Sequence, residues 1–307
     1  MSTPQPTQRG ERNVSGLLYR LGYLLWKMQC RLNKPLVGLA PVAPRAVVTE
    51  AWDLHTARIE PREPDLCVVI STHRRPHACA DLLQQLHAAL PESVTQPAQV
   101  IVLEDMSDAD YGDVQALGER LFEARFVFLR SRRWLAKQGY YLLYQAAFEL
   151  LRQLRPRHTL FIQDDLSLAP NFFADALGLW GSIPDPDKAV LSLVAFDDDE
   201  TRGRWTRYKR RVLLGGKAWK TQWFDLQAFL VGRSFFETLQ YRLFPAEPLR
   251  FSQRPGVSSG VGEQLTRRLW RRGNIYQVAQ TLAFHGGHAS VMNADARRDR
   301  ALDNREV

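Results

Sequence analysis

From Leu66 onward, short apolar runs alternate with segments of helical periodicity. LCVVIST (66–72) reads as a buried strand, PHACADLLQQLHAAL (76–90) as a helix, VIVLED (100–105) as a second strand, VQALGERLF (114–122) as a helix and FVFLR (126–130) as a third strand. YYLLYQAAFELLRQL (140–154) is a long helix, and HTLFIQDD (158–165) and AVLSLVAF (189–196) complete five strands. This order predicts an α/β fold, a mostly parallel sheet with helices on both faces. In such sheets ligands bind at the carboxyl ends of the strands. Three strands end in polar chemistry: Ser71-Thr72-His73-Arg74, Glu104-Asp105 and Gln163-Asp164-Asp165.

The first 65 residues have a different character. In Val14 to Lys34 the bases Arg20, Lys27, Arg31 and Lys34 recur at helical intervals, while Leu17, Leu18, Leu21, Leu24, Leu25 and Met28 hold another arc, with Tyr19, Tyr23 and Trp26 nearby. That is a basic amphipathic helix. It suits a membrane interface, and equally a helix packed on its own domain. Residues 35–64, with prolines at 35, 41, 44, 61 and 64, read as an extended linker. No run reaches the roughly 18 to 20 apolar residues of a membrane span, and no secretory signal is expected. Cys30, Cys67 and Cys79 have no paired spacing, which points to a reducing compartment and away from structural zinc. The expected domains are therefore a basic helical segment (1–34), a linker (35–64), an α/β domain (65–292) and a charged tail (293–307).

The net charge of +8 invites a nucleic-acid reading, but its distribution argues against one. Residues 201–220 hold eight bases and no acid, residues 1–34 hold six bases and one acid, and the rest of the chain sums to −5. No nucleic-acid-binding motif accompanies these clusters, so no nucleic-acid partner is expected.

Two glycine motifs are absent. Neither GxGxxG nor GxxxxGK[ST] follows the first strand, so neither a dinucleotide fold nor a P-loop is signalled. An acidic pair, Asp164-Asp165, leaves a buried strand instead. Adjacent carboxylates oppose each other's ionisation unless a cation compensates them, and Mg²⁺ or Mn²⁺ bridging carboxylate and diphosphate is the natural compensator.

The run from Phe161 to Phe173 (FIQDDLSLAPNFF) resembles the EDDLxxAPDFF signature of the N-acetylglucosaminyltransferase I family. VVISTHRRP, VIVLEDMSD and GEQLTRRLWRRG, in that order, resemble the wider pattern of glycosyltransferase family 2. The resemblance covers roughly residues 66–292, and the agreement in order and spacing carries it. It implies a GT-A fold glycosyltransferase that uses a nucleotide-diphosphate sugar and Mn²⁺ or Mg²⁺, most simply UDP-N-acetylglucosamine, in an inverting displacement onto a glycan or lipid-linked acceptor. The rival expectation is a catalytically silent nucleotide-sugar-binding or membrane scaffold protein.

The resemblance also implies roles. Thr72 and Arg74 would line the nucleotide pocket. Asp105, with Glu104 able to share the role, would accept a hydrogen bond from the base. Asp165 would bind the metal, Asp164 would lie near the sugar or ribose, and Gln163 stands where the family has Glu. Trp223 to Val231 would be the strand walling the acceptor side. In GVGEQLTRRL, Gln264 takes the place of the usual Asp, which leaves Glu263 as the candidate base. In HGGHAS, His285 is favoured over His288 as a metal ligand. The basic 201–220 loop would form a flap whose bases, Arg210 and Arg211 among them, neutralise a diphosphate or a phosphorylated acceptor. The expected location is the cytoplasm, peripheral on the inner face of the membrane through residues 14–34.

Overall fold

The strands predicted from apolar runs pair into one sheet, whose order fixes where polar strand ends can converge. The computed structural model of the chain describes residues 8–34, 44–57, 59, 63–90, 98–195, 213–214, 217–246, 250–253 and 258–285. Arg210, Arg211, His288, the tail from 293 and most of the 201–220 loop lie outside the described residues. In chain order the helices are α1 Gln8–Leu32, α2 Pro44–Ala51, α3 Pro76–Ala89, α4 Gly112–Phe122, α5 Ala136–Leu154, α6 Phe172–Ser182, α7 Arg233–Thr238, α8 Arg250–Gln253 and α9 Val261–Leu269. The strands are β1 Leu66–Thr72, β2 Gln99–Glu104, β3 Phe126–Arg130, β4 His158–Gln163, β5 Leu166–Leu168, β6 Lys188–Ser192, β7 Leu213–Leu214, β8 Ala218–Thr221, β9 Ala228–Gly232, β10 Asn274–Val278 and β11 Ala283–His285.

Among the described residues the main sheet runs β3-β2-β1-β4-β9-β6-β10-β8-β7. Only β9 and β8 run against the common direction. The alternation of side chains along each strand feeds two separate cores, as a sheet covered on both faces requires. Cys67, Val69, Ile101, Leu103, Phe161 and Phe229 face the layer of α5, α7 and α9. Val68, Ile70, Val100, Val102, Leu160 and Ile162 face the layer of α3, α4 and α6. A second, two-stranded sheet pairs β5 with β11.

Two expectations for the N-terminal region change. Part of the expected linker is helical: Val48, Ala51 and Trp52, in and just after α2, are buried against the α5 side of the core. In the sequence this short apolar stretch is obscured by the prolines around it. The N-terminal helix, for its part, packs on its own domain along one stripe. Tyr19, Trp26, Cys30 and Asn33 form a buried stripe, with Trp26 Nε1 donating to the Pro245 carbonyl (2.9 Å) and Asn33 Nδ2 to that of Thr238 (2.7 Å). Leu17, Leu18, Leu21, Leu24, Met28 and Leu32 lie elsewhere on the helix at 45–68% exposure.

The centre of the larger core is aromatic. Phe229 is wholly buried, with ring centroids 4.8 Å from Phe161 and 5.1 Å from Phe224. Phe229→Ala is expected to lower unfolding free energy by about 3–5 kcal/mol, measured by guanidinium titration. A loss below about 1 kcal/mol would contradict this packing.

Candidate functional site

Parallel pairing puts the ends of β1, β2 and β4 side by side, with Thr72 opposite Glu104 and Ser71 opposite Gln163. The chain turns sharply after Gln163, so Asp164 and Asp165 stand at the mouth of this edge, 1% and 3% exposed. The same turn starts β5, and β11 pairs with it so that His285 lies opposite Leu166. That pairing carries a residue 120 positions downstream to the acids: His285 Nδ1 is 3.7 Å from Asp165 Oδ2. The segment closes on Asn171, which is left-handed (φ 60°) at the start of α6, with Phe172 and Phe173 buried as its anchors.

The cation facing the pair is Arg75. Its Nη2 lies 2.6 Å from Asp164 Oδ1 and its Nη1 2.7 Å from Asp165 Oδ2. Pro76 at the first position of α3 fixes this placement, because proline is pre-organised for a helix start and restrains the residue before it. A chain of hydrogen bonds backs it up: Arg75 N donates to Tyr111 OH (3.1 Å), which lies 2.6 Å from Thr72 Oγ1, which donates to Asp164 Oδ2 (2.6 Å). Burial pushes the Asp164 carboxyl up to about 7, against the pull of Arg75 and Thr72.

The β2 end is built differently. Glu104 is fully buried and saturated by Arg130 Nε (2.5 Å) and Ser107 Oγ (2.7 Å). Asp105 accepts from Leu135 N (2.6 Å) just before α5, and burial raises its pKa. His73 Nδ1 donates to the Asp105 carbonyl (2.7 Å), and its ring stacks on Trp134, which is 60% exposed. An exposed tryptophan backed by a histidine beside a buried aspartate forms a platform on which a planar ring can stack.

The structure thus gathers Thr72, Asp105, Asp164, Asp165 and His285 at one edge. Arg74 is set apart: it is left-handed (φ 57°), half-exposed and paired with Asp108 at 3.1 Å, and the basic residue on the acids is its neighbour Arg75. Glu104 is tied to Arg130 and Ser107. Glu263 belongs to another cluster, where Tyr23 OH donates to it (2.5 Å) and Arg250 (3.3 Å) and Arg267 (2.8 Å) pair with it, holding its carboxyl below the usual range despite burial. Among the described residues it makes no hydrogen bond or ion pair with the acidic pair. Gln264 is buried and bonds both backbone groups of Phe244, accepting at 2.7 Å and donating at 2.6 Å. Asp225, by contrast, sits on the segment whose Gln227 carbonyl accepts from Gln163 N (2.9 Å), beside the end of β4, and burial raises its pKa.

Sequence reasoning missed Arg75, Tyr111 and Trp134. The first had a signal in the Arg-Arg-Pro run, where the residue before proline is the one committed to the helix start. Tyr111 and Trp134 lie in connections and leave no periodic trace.

The residues present fit a divalent cation in part. Asp165 and His285 supply oxygen and nitrogen donors, yet among the described residues no group of three or more His, Cys, Asp or Glu is placed to hold a metal.

No family model and no curated protein matches the chain. Solved structures do. GalNAc-T7, solved with UDP, GalNAc and Mn²⁺, is 12% identical with a TM-score of 0.50 over 94% of this chain and 55% of its own. The mannosyltransferase PcManGT from Pyrobaculum calidifontis, in complex with GDP-Man and Mn²⁺, is 13% identical with a TM-score of 0.45 over 85% of this chain and 64% of its own. Staphylococcus aureus TarS residues 1–349 with UDP-GlcNAc are 12% identical with a TM-score of 0.48 over 71% of this chain and 57% of its own. The chain spans less than two thirds of the length of these structures. The likeness is one of fold: the chain has the mixed α/β architecture of GT-A glycosyltransferases, with a large, mostly parallel sheet flanked by helices.

The two acid environments at the β2 end are separable by mutation. Arg130→Met leaves the buried Glu104 carboxylate short of its cation and is expected to cost about 1–3 kcal/mol. Arg74→Ala removes only an exposed pair and should stay within about 0.5 kcal/mol of the parent. Urea unfolding of the two variants, with equal losses, would contradict this assignment.

Proposed function

We propose that the chain is a glycosyltransferase acting on a nucleotide-diphosphate sugar with Mn²⁺ or Mg²⁺. The observation that carries the reading is the convergence of a buried acid pair, an arginine fork and a histidine at the carboxyl edge of a GT-A sheet. Asp165 and His285 would hold the metal, which when bound supplies electrostatic stabilisation to the departing diphosphate. Thr72 positions Asp164 toward the sugar or ribose. Asp105 and the Trp134 platform receive the base, and a UDP-sugar, with N-acetylglucosamine as the sugar, is the donor we favour. The proton acceptor for an inverting attack needs a carboxylate of raised pKa near the pocket. Asp225 meets that requirement, whereas Glu263 is held ionised by two arginines and serves to seat α1.

A panel of UDP- and GDP-sugars scored by thermal shift with and without Mn²⁺ tests the reading, since a ligand that binds only the folded chain raises its stability. A UDP-sugar is expected to stabilise the chain in the presence of Mn²⁺, and nucleotide release from it should fall at least about 100-fold in Asp165→Ala. No stabilisation by any donor would leave a silent scaffold. Asp225→Asn should lower kcat by about 100-fold or more, with Glu263→Gln acting mainly on stability. The reverse pattern would return the base role to Glu263.

We further propose that α1 seats the chain on an anionic membrane surface in the cytoplasm, which suits a lipid-linked acceptor or a glycan made at that surface. Its outward leucines carry exposed Arg20, Arg31 and Lys34 beside them, a pairing that fits acyl chains below acidic headgroups. No described helix is long and apolar enough to cross a membrane, and all three cysteines are free. Co-sedimentation with phosphatidylglycerol vesicles is expected, and Leu21→Glu with Leu24→Glu should abolish it. Dimerisation without vesicle binding would assign the stripe to a second copy of the chain.

A further inference from the structure

We infer that the turn after α9, Trp270-Arg271-Arg272, is a second contact with an anionic lipid surface, lying beside the outward stripe of α1 and fixing which flank of that helix faces the headgroups. The inference rests on the membrane reading of α1 above and adds a site to it.

Helices α1 and α9 lie side by side and run in the same direction. Tyr23 OH donates to Glu263 (2.5 Å), Lys27 lies in the field of Arg267, and the Arg31 carbonyl accepts from Arg272 Nη1 (3.0 Å). Each step is about one helical turn on both helices, so the flank of α1 that carries Arg20, Lys27 and Arg31, an arc of about 40°, is continued sideways by the bases at the end of α9. Glu263 is the acid on this strip, and Tyr23, Arg250 and Arg267 already claim it. Among the described residues no acid pairs with Arg20, Arg31, Lys34, Arg271 or Arg272. Burial first, and then Arg267, hold the Lys27 ammonium below its usual range. The strip is therefore short of negative charge, and it attracts a surface that supplies it.

The turn that ends α9 is held from both sides. Arg272 N and Gly273 N donate to the Leu269 carbonyl (2.8 and 3.0 Å), Arg271 is left-handed (φ 61°), and Gly273 sits so close to Ala189 that an added Cβ would come within 2.7 Å of it. This geometry leaves Trp270 48% exposed, with Arg271 and Arg272 exposed after it. An indole, with its apolar body and one N–H, suits a water–lipid boundary, and arginines beside it meet acidic headgroups. A single helix touches a surface along a line and leaves the body free to roll about it; a contact on the neighbouring helix stops the roll. An acidic protein or a nucleic acid would satisfy the bases while leaving the α1 leucines in water, and a second copy of the chain would bring the same basic strips together. An anionic bilayer takes leucines, indole and bases at once.

Co-sedimentation of the full chain with phosphatidylglycerol vesicles, set against phosphatidylcholine vesicles, tests this. The parent should bind the first at least about tenfold more tightly than the second. Arg271→Gln should weaken binding to phosphatidylglycerol by about fivefold, and Arg271→Lys, which keeps the charge, should bind as the parent does. Trp270→Ala combined with Arg271→Gln should weaken it by about tenfold or more. Thermal melting of these variants should match the parent, since both side chains are exposed. A double variant that binds phosphatidylglycerol as tightly as the parent would overturn the inference, and loss of binding in Leu21→Glu with Leu24→Glu would then leave the α1 reading standing. A parent chain that binds neither vesicle, or both equally, would refute the α1 reading itself and the second contact with it.

Discussion

Two carboxylates withdrawn from water at the end of one strand set the terms for everything around them. Like charges at that spacing oppose each other's ionisation, and burial opposes both. The fold answers with a guanidinium that reaches both acids. Arg75 comes from the start of α3, together with the positive end of that helix, and β11 brings the His285 imidazole to within 3.7 Å of Asp165. The remaining hydrogen bonds follow from this demand. Thr72 donates to Asp164, and Tyr111 bridges Thr72 to the Arg75 backbone, so β1, the turn before α4 and the turn after β4 are held in one register. The small β5-β11 sheet has its place in the same scheme, since it is the device that returns a late segment to the acids.

A second buried charge organises the other end of the molecule. Arg268 is wholly buried, with its guanidinium on Asn33 Oδ1 (2.6 Å) and the Leu239 carbonyl (2.5 Å) and over the Phe244 ring at 4.4 Å. It therefore joins α1, α9 and the turn after α7. With the Tyr23–Glu263 bond and the Trp26–Pro245 bond, it fixes the helix along one stripe. A helix so held keeps its outer stripe from rotating inward, which is why its leucines remain exposed although apolar surface ordinarily seeks burial.

The sheet was legible because its strands are buried on both faces and read as continuous apolar runs. β1, β3 and the start of β4 fall where those runs fall, and α3 and α5 where the helical spacing falls. The polar strand ends were legible for the same reason, since an Asp-Asp pair interrupting FIQDDL can only be a strand terminus. What the chain alone concealed was compensation. Arg74 and Arg75 are adjacent and chemically identical, and only the backbone at the α3 start decides that one meets Asp108 and the other the acid pair. Glu263 looked catalytic because a family pattern places an acid nearby, but three partners claim it, Arg267 one turn along the same helix, Arg250 13 positions away and Tyr23 240 positions away. The linker reading missed α2 because the prolines dominate the composition around Val48, Ala51 and Trp52, the residues that are buried there.

What separates these acids is how removable their partners are. Glu104 is closed by an arginine and a serine in its own neighbourhood, and Glu263 by two arginines and a tyrosine, so neither can change partner without undoing the packing that supplies it. Asp164 and Asp165 share one arginine on a flexible stem whose backbone is anchored independently of its head group. Asp225 is held chiefly by backbone N–H groups that follow it, with no cation among the causes of its raised pKa. Of these five acids, Asp164, Asp165 and Asp225 are the ones whose partners can change while the packing around them stays in place.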